Sequence, residues 1–208
     1  MEFNFADAPF TLLLLLVNVL VSGYALFSDD TLLERLGFRP VRIREQGEYY
    51  RYITGGFVHA GLAHLAFNMV TLYFFGPLLE YRLGSGNFVL LYFGSELAAH
   101  ALTYWFHKDN EAYNAVGASG AISGVVFAFC LFYPFQNLYL FFAVPIPAIL
   151  FAVGYVAVSI YAMRQAQAQG RMGGIAHEAH LGGALGGLIL TILLEPSALQ
   201  IFLSHFGL

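Results

Sequence analysis

Apolar residues are gathered into long runs separated by short polar stretches. A helix that crosses a bilayer needs roughly 20 mainly apolar residues in succession. Six runs approach that length, at about 10–27, 57–79, 88–106, 117–133, 147–163 and 176–194, and each predicts a helix. Pro145 and Pro147 belong at the entrance of the fifth, because proline suits the first helical turn and breaks later ones. The longest polar stretch, 28–56, reads as a structured first loop with Arg35, Arg39, Arg42, Arg44 and Arg51 set among acids. Gly84, Ser85 and Gly86 mark a tight turn, and the apolar tail after Ser197 is too short to cross again. The first run lacks the basic start of a signal peptide, having Glu2 and Asp7 there instead, so it reads as a retained helix. No internal repeat or second domain is visible. The expected architecture is an all-α polytopic membrane protein, one six-helix domain over residues 1–208.

Composition agrees with that pattern. Of 208 residues, 59% are hydrophobic and 11% charged, under half the roughly 25% of charged residues that coats a soluble domain. Lipid is therefore the expected solvent. The net charge of −4 gives no reason to expect nucleic acid. The single cysteine, Cys130, cannot form an internal disulfide and reads as apolar packing.

Polar side chains inside spans are expensive, so each one is a candidate for function. His64 and Asn68 stand near the start of the second run, Ser119 at the start of the fourth, and His177 and His180 at the start of the sixth. Even-numbered spans run the same way, so these helix starts open toward one membrane face at similar depth. The fourth run carries Gly120 and Gly124 and the sixth Gly183 and Gly187, the spacing that lets helices approach closely in lipid. If those glycine faces meet, Ser119 and His180 differ in height by only about 3 Å. A hydroxyl next to an imidazole is the pairing a nucleophile and its general base require. His64 and Asn68, four apart, share a helix face. Their N–H groups, with the Ser119 backbone N–H, are candidate donors to an oxyanion. Glu178 lies off the face of His180, so a dyad is expected, not a triad.

At these residues the chain resembles the rhomboid intramembrane serine proteases. Gly117-Ala118-Ser119-Gly120 is similar to their nucleophile motif, and His180 followed by Gly183 and Gly187 to their catalytic histidine. His64 to Asn68 resembles the oxyanion motif, and His59 an upstream structural histidine. Tyr50-Arg51, Glu80 with Gly84-Ser85, and Pro145 to Ala148 resemble further family features. The resemblance implies a six-helix core, a serine–histidine dyad, no cofactor or metal, and membrane-anchored protein substrates. It also implies that the fifth helix is a lateral gate and that the site of a cell-membrane enzyme opens on the non-cytoplasmic side. Ser123 stands where some relatives carry an aromatic residue packed against the histidine, which implies a looser hold on His180. Glu96 and His100 read as a structural hydrogen-bonded pair.

Charge counting opposes that orientation. Arg35, Arg39, Arg42, Arg44, Arg51, Lys108, Arg164 and Arg171 flank the site face, against Arg82 alone on the other. A packed first loop, its arginines interspersed with acids, need not behave as a free topogenic segment. Three other readings remain: an inactive relative that binds membrane-protein clients, a metal site on His177, Glu178 and His180, and a transporter using Glu96 and His100. The zinc-protease motif needs histidines four apart, whereas His177 and His180 are three apart.

Overall fold

A computed structural model describes residues 7–140, 143–168 and 176–208. Its helices are α1 (Pro9–Phe27), α2 (Thr31–Leu36), α3 (Pro40–Gln46), α4 (Arg51–Thr54), α5 (Leu62–Leu83), α6 (Ser85–His107), α7 (Ser119–Phe132), α8 (Ala148–Ala168), α9 (His177–Leu194) and α10 (Ser197–Ser204). Four of them, α1, α5, α8 and α9, are long and apolar enough to cross a membrane. The six expected crossings are thus matched at four helices by length and composition. Although α6 has 23 residues, it carries Glu96 and His100 in its interior. With only 14 residues, α7 is short, and every residue from Gly120 to Phe132 is buried by protein.

One boundary and one element differ from the sequence reading. The helix expected from residue 57 starts at Leu62, because Arg51–Thr54 and the 3-10 turn Gly55–Phe57 form their own short elements and the chain then runs extended. The all-α expectation also misses an antiparallel hairpin, β1 (Asn137–Leu140) with β2 (Val144–Pro147). Pro145 and Pro147 lie in β2, opposite Tyr139 and Asn137, and directly precede α8, the helix entrance expected of them. The two strands of this small ribbon leave each other an open edge, where a missing N–H is tolerated.

Glycine packing sets the centre of the bundle. On α9, Gly183 lies against the Gly120 backbone and Gly187 against the Gly124 backbone of α7. One residue round the same helix, Gly182 meets Ala98 and Ala99 of α6, and Gly186 meets the Ala98 side chain. Two overlapping glycine ridges therefore seat α9 against two neighbours. At the far end of α5, Glu80 binds the first turn of α1, whose N–H groups have no helical partner. Its Oε1 accepts from the Phe10 N–H at 3.0 Å, and its Oε2 from the Thr11 N–H and hydroxyl, both at 2.7 Å. Ser85 donates to the same carboxylate at 2.8 Å, tying in the turn to α6.

The first loop is packed around Arg51, which is 1% exposed. Its guanidinium donates to the carbonyls of Glu34 (2.8 Å) and Gly37 (2.6 Å) and to the Glu48 carboxylate (2.6 Å). That bond holds the Glu48 carboxyl below the usual carboxylate range. Fully buried Phe38 stacks on His100 of α6 at 4.0 Å between ring centroids. Phe38 also pairs with Ala115 through both backbone N–H groups, so the first loop is joined to the segment leading into α7.

A methyl group at Gly183 or Gly187 has only the α7 backbone to meet, whereas one at Gly154 meets nothing within 4 Å. Gly183→Ala and Gly187→Ala should each cost about 1–3 kcal/mol of stability from overpacking. Gly154→Ala should cost none. Thermal unfolding in detergent micelles checks the contrast.

Candidate active site

Packing Gly183 on Gly120 fixes the heights of the residues just before them. The result is a hydrogen bond of 2.9 Å between Ser119 Oγ and His180 Nε2. Both side chains are half-buried, neither sealed off nor on the surface. Among the described residues no carboxylate reaches His180 Nδ1. Glu178 is engaged elsewhere: its Oε1 accepts from Tyr113 at 2.7 Å and pairs with His107 Nε2 at 2.9 Å. The His107 and Tyr113 rings stack at 3.7 Å, so the cluster ties the segment between α6 and α7 to the first turn of α9. Burial and Glu178 push the Tyr113 phenol up, which keeps it a donor. The metal reading loses its glutamate to this cluster, and the rings of His177 and His180 lie 6.2 Å apart at 83°.

The start of α7 is controlled amide by amide. Gly117 has φ +110°, a region that favours glycine, and a side chain there would also strike the His64 ring. Its N–H donates to the Gly55 carbonyl at 2.9 Å. The next N–H, of Ala118, donates to His59 Nε2 at 3.4 Å. Ser22 donates its hydroxyl proton to the Phe57 carbonyl (2.9 Å), so His59 Nδ1 must donate to Ser22 Oγ (2.8 Å). That assignment leaves Nε2 as the acceptor Ala118 needs. His59 therefore bonds to α1 and the α7 entrance.

Glu96 takes the next turn. Its Oε2 accepts from the Ala121 N–H at 2.9 Å, and its other oxygen lies 3.5 Å from His100 Nε2. His100 Nδ1 donates to the Tyr52 carbonyl at 2.9 Å. The pair that reads from sequence as structural is thus a cap on the helix that carries Ser119. It was missed because nothing in the α6 sequence says which helix end lies alongside. Gly120 makes the approach possible, since a side chain there would meet Ala99 Cβ at 2.6 Å and Glu96 Oε2 at 3.0 Å. Between the amides of Ala118 and Ala121, those of Ser119 and Gly120 have no hydrogen-bond acceptor among the described residues.

His64 and Asn68 share one face of α5. The His64 ring lies against Gly117 and 5.0 Å from the His59 ring. Asn68 is buried and gives one amide proton to the His64 carbonyl at 3.1 Å, leaving the other available. Arg51 and Glu80 lie away from these groups, in the first loop and at the opposite end of α5. Each holds backbone in place there.

A family model, Rhomboid domain, matches residues 46–197. The chain belongs to the rhomboid family. Rhomboid protease AarA of Providencia stuartii is 27% identical over 226 residues, taking in 96% of this chain and 78% of that protein. Mitochondrial rhomboid protein 1 of Saccharomyces cerevisiae is 32% identical over 140 residues, 66% of this chain and 39% of its own length. Rhomboid protease GluP of Bacillus subtilis is 39% identical over 79 residues, 38% of this chain and 15% of its own length. The chain spans less than half the length of several of the curated relatives it matches. Family membership and four apolar helices make this rhomboid an integral membrane protein.

Replacing Glu96 with leucine strands a buried N–H at the start of α7. Glu96→Leu should cost about 1–3 kcal/mol. Glu96→Gln, whose amide oxygen can still accept from Ala121, should cost less. Thermal unfolding of the two variants in detergent is the check.

Proposed function

We propose that this rhomboid is a serine endopeptidase that cleaves membrane-embedded protein substrates within or beside the bilayer. The observation that carries this reading is the 2.9 Å bond between Ser119 Oγ and His180 Nε2. In the proposed mechanism His180 takes the hydroxyl proton as Ser119 Oγ attacks the scissile carbonyl carbon. The negative charge that develops on the carbonyl oxygen is met by N–H groups of Ser119, His64 and Asn68. His180 then gives its proton to the departing amine. A water molecule, deprotonated by the same imidazole, releases the acyl group from Ser119. Each step uses groups the chain itself supplies and asks for no metal or cofactor.

The proposal includes six crossings in one domain, with α6 and α7 crossing beside the four apolar helices. Both are shielded from lipid where they are polar or short: Glu96 and His100 are buried, as is α7 from Gly120 on. We further propose that the site opens on the non-cytoplasmic face of a cell membrane. The first-loop arginines in that opposing count have acidic partners. Arg39 pairs with Glu34 at 3.1 Å, Arg42 with Glu48 at 3.3 Å, and Arg44 with Glu45 at 2.9 Å and with Asp109. Arginines built into a folded loop are a weaker topogenic signal than free ones. Arg171, part of the opposing count, lies outside the described residues.

A fluorophosphonate probe should label the purified protein, and the label should vanish in Ser119→Ala. Both Ser119→Ala and His180→Ala should abolish cleavage of a single-span substrate in liposomes while leaving thermal unfolding unchanged. Asn68→Ala removes one oxyanion donor and should slow turnover by up to about 10²-fold. Wild-type cleavage by the Ser119→Ala protein would refute the mechanism. Folded wild-type protein that never labels would favour the reading as a client-binding relative.

A further inference from the structure

His180 has no carboxylate behind its Nδ1 among the described residues, so something other than a third charged group must hold its ring. On α7 itself, the position one turn after the nucleophile is Ser123, which has no ring to offer. The ring beside His180 comes from α8. Tyr155 stacks against it with 6.1 Å between centroids and 28° between planes. Its phenol oxygen lies 2.9 Å from Ser123 Oγ, and Ser123 Oγ lies 2.8 Å from the Ser119 carbonyl oxygen. A serine hydroxyl has one proton, and the carbonyl can only accept it. Ser123 therefore donates to Ser119 and accepts from Tyr155. The chain of bonds from the phenol ends on the backbone of the nucleophile residue, while the ring of the same tyrosine flanks the base.

The Tyr155 ring is itself held by aromatic neighbours. Phe127 of α7 meets it edge-on at 5.6 Å, and Phe151, one turn earlier on α8, lies at 5.7 Å. The helix that carries it is loosely seated. Of the four apolar helices, α8 buries 11% of its spanning window, against 28% to 39% for the others. Of those four helices it is the one whose displacement gives up the fewest buried residues.

We infer that Tyr155 is a positioning residue through which the seating of α8 sets the alignment of His180 against Ser119. With α8 against α7 and α9, the tyrosine ring closes one side of the imidazole and limits its rotation. With α8 displaced, both the ring and its bond to Ser123 leave, and the imidazole is free to turn away from Ser119. Dyad competence is thereby coupled to the position of α8. The inference rests on the serine-protease reading above.

The test compares Tyr155→Phe, which keeps the ring, with Tyr155→Leu and Tyr155→Met, which fill the space without one. The full chain in detergent is assayed for its fluorophosphonate labelling rate, for kcat and KM on a single-span substrate, and for thermal unfolding. A ring that orients the base should be worth about ten-fold in labelling rate and in kcat when it is lost, with KM changed by less than about two-fold. Tyr155→Phe should stay within about three-fold of wild type. Folded Tyr155→Leu or Tyr155→Met protein that labels at the wild-type rate would overturn the inference. Equal losses in all three variants would overturn it too, by assigning the effect to the hydroxyl, and so would a change in KM alone. These results differ from failure of the protease reading, in which wild type itself does not label.

Discussion

The contact on which the site depends is backbone against backbone, Gly183 on Gly120 and Gly187 on Gly124. Lipid offers helices little hydrophobic reason to associate, so close van der Waals approach has to supply the attraction. Removing the Cβ atoms lets α7 and α9 come near enough for a short side chain such as serine to reach the imidazole on the neighbouring helix. With larger residues at those positions, Ser119 and His180 would be held apart even if both were present. The same helix turned by one residue presents Gly182 and Gly186 to α6, so α9 is located by two neighbours at once and cannot slide along either alone. The meeting of Ser119 and His180 is a by-product of helix packing, and their hydrogen bond reports that packing more than it creates it.

Accounting for amides at the start of α7 shows how a helix end can be both anchored and left open. Buried N–H groups are nearly always satisfied, and those at a helix start have no partner in their own helix. Here Gly117, Ala118 and Ala121 each have an acceptor, from Gly55, His59 and Glu96. Among the described residues, the amides of Ser119 and Gly120 between them are left for something else. Anchoring on both sides fixes the direction of those two N–H groups before any ligand arrives, and preorganised donors of that sort lose no energy to reorientation during a reaction. Asn68 follows the same pattern, with one amide proton committed to His64 and the other spare.

What the sequence made legible, and what it did not, divides by range. Glycines at i and i+4 on two runs are a local pattern, and they were enough to set Ser119 and His180 at one height. The polar residues that hold the site depend on which helix lies beside which. Glu96 looks like an isolated pair with His100 until α6 is seen to pass the start of α7, and Tyr155 is one more aromatic in an apolar run until α8 is docked. Glu178 shows the reverse case. Its place beside His180 in sequence suggests a metal ligand or an absent third catalytic group, yet it fastens the segment from His107 to Tyr113 onto α9. The hairpin was hidden for a different reason. Two prolines close together point to the helix entrance that they do form before Ala148, but they give no sign of the pairing with Asn137 to Leu140.

If α7 crosses as proposed, its shortness explains why so much structure is spent on the first loop. Fourteen residues rise about 21 Å, against a hydrocarbon core of roughly 30 Å. If its far end reaches one face, its start lies recessed below the other, and the chain from Lys108 to Ala118 has to descend into the bundle as irregular backbone. Such backbone is tolerated at that depth only where protein satisfies its polar groups. The first loop and its continuation supply the partners. Phe38 pairs with Ala115 in both directions, Leu33 accepts from Asn114 at 3.1 Å, and Gly55 accepts from Gly117. Arg51 in turn holds the carbonyls of Glu34 and Gly37, which fixes the strand-like turn that carries Phe38. The arginine lies far from Ser119 in sequence, but it braces the loop whose backbone pairs with the segment leading into α7.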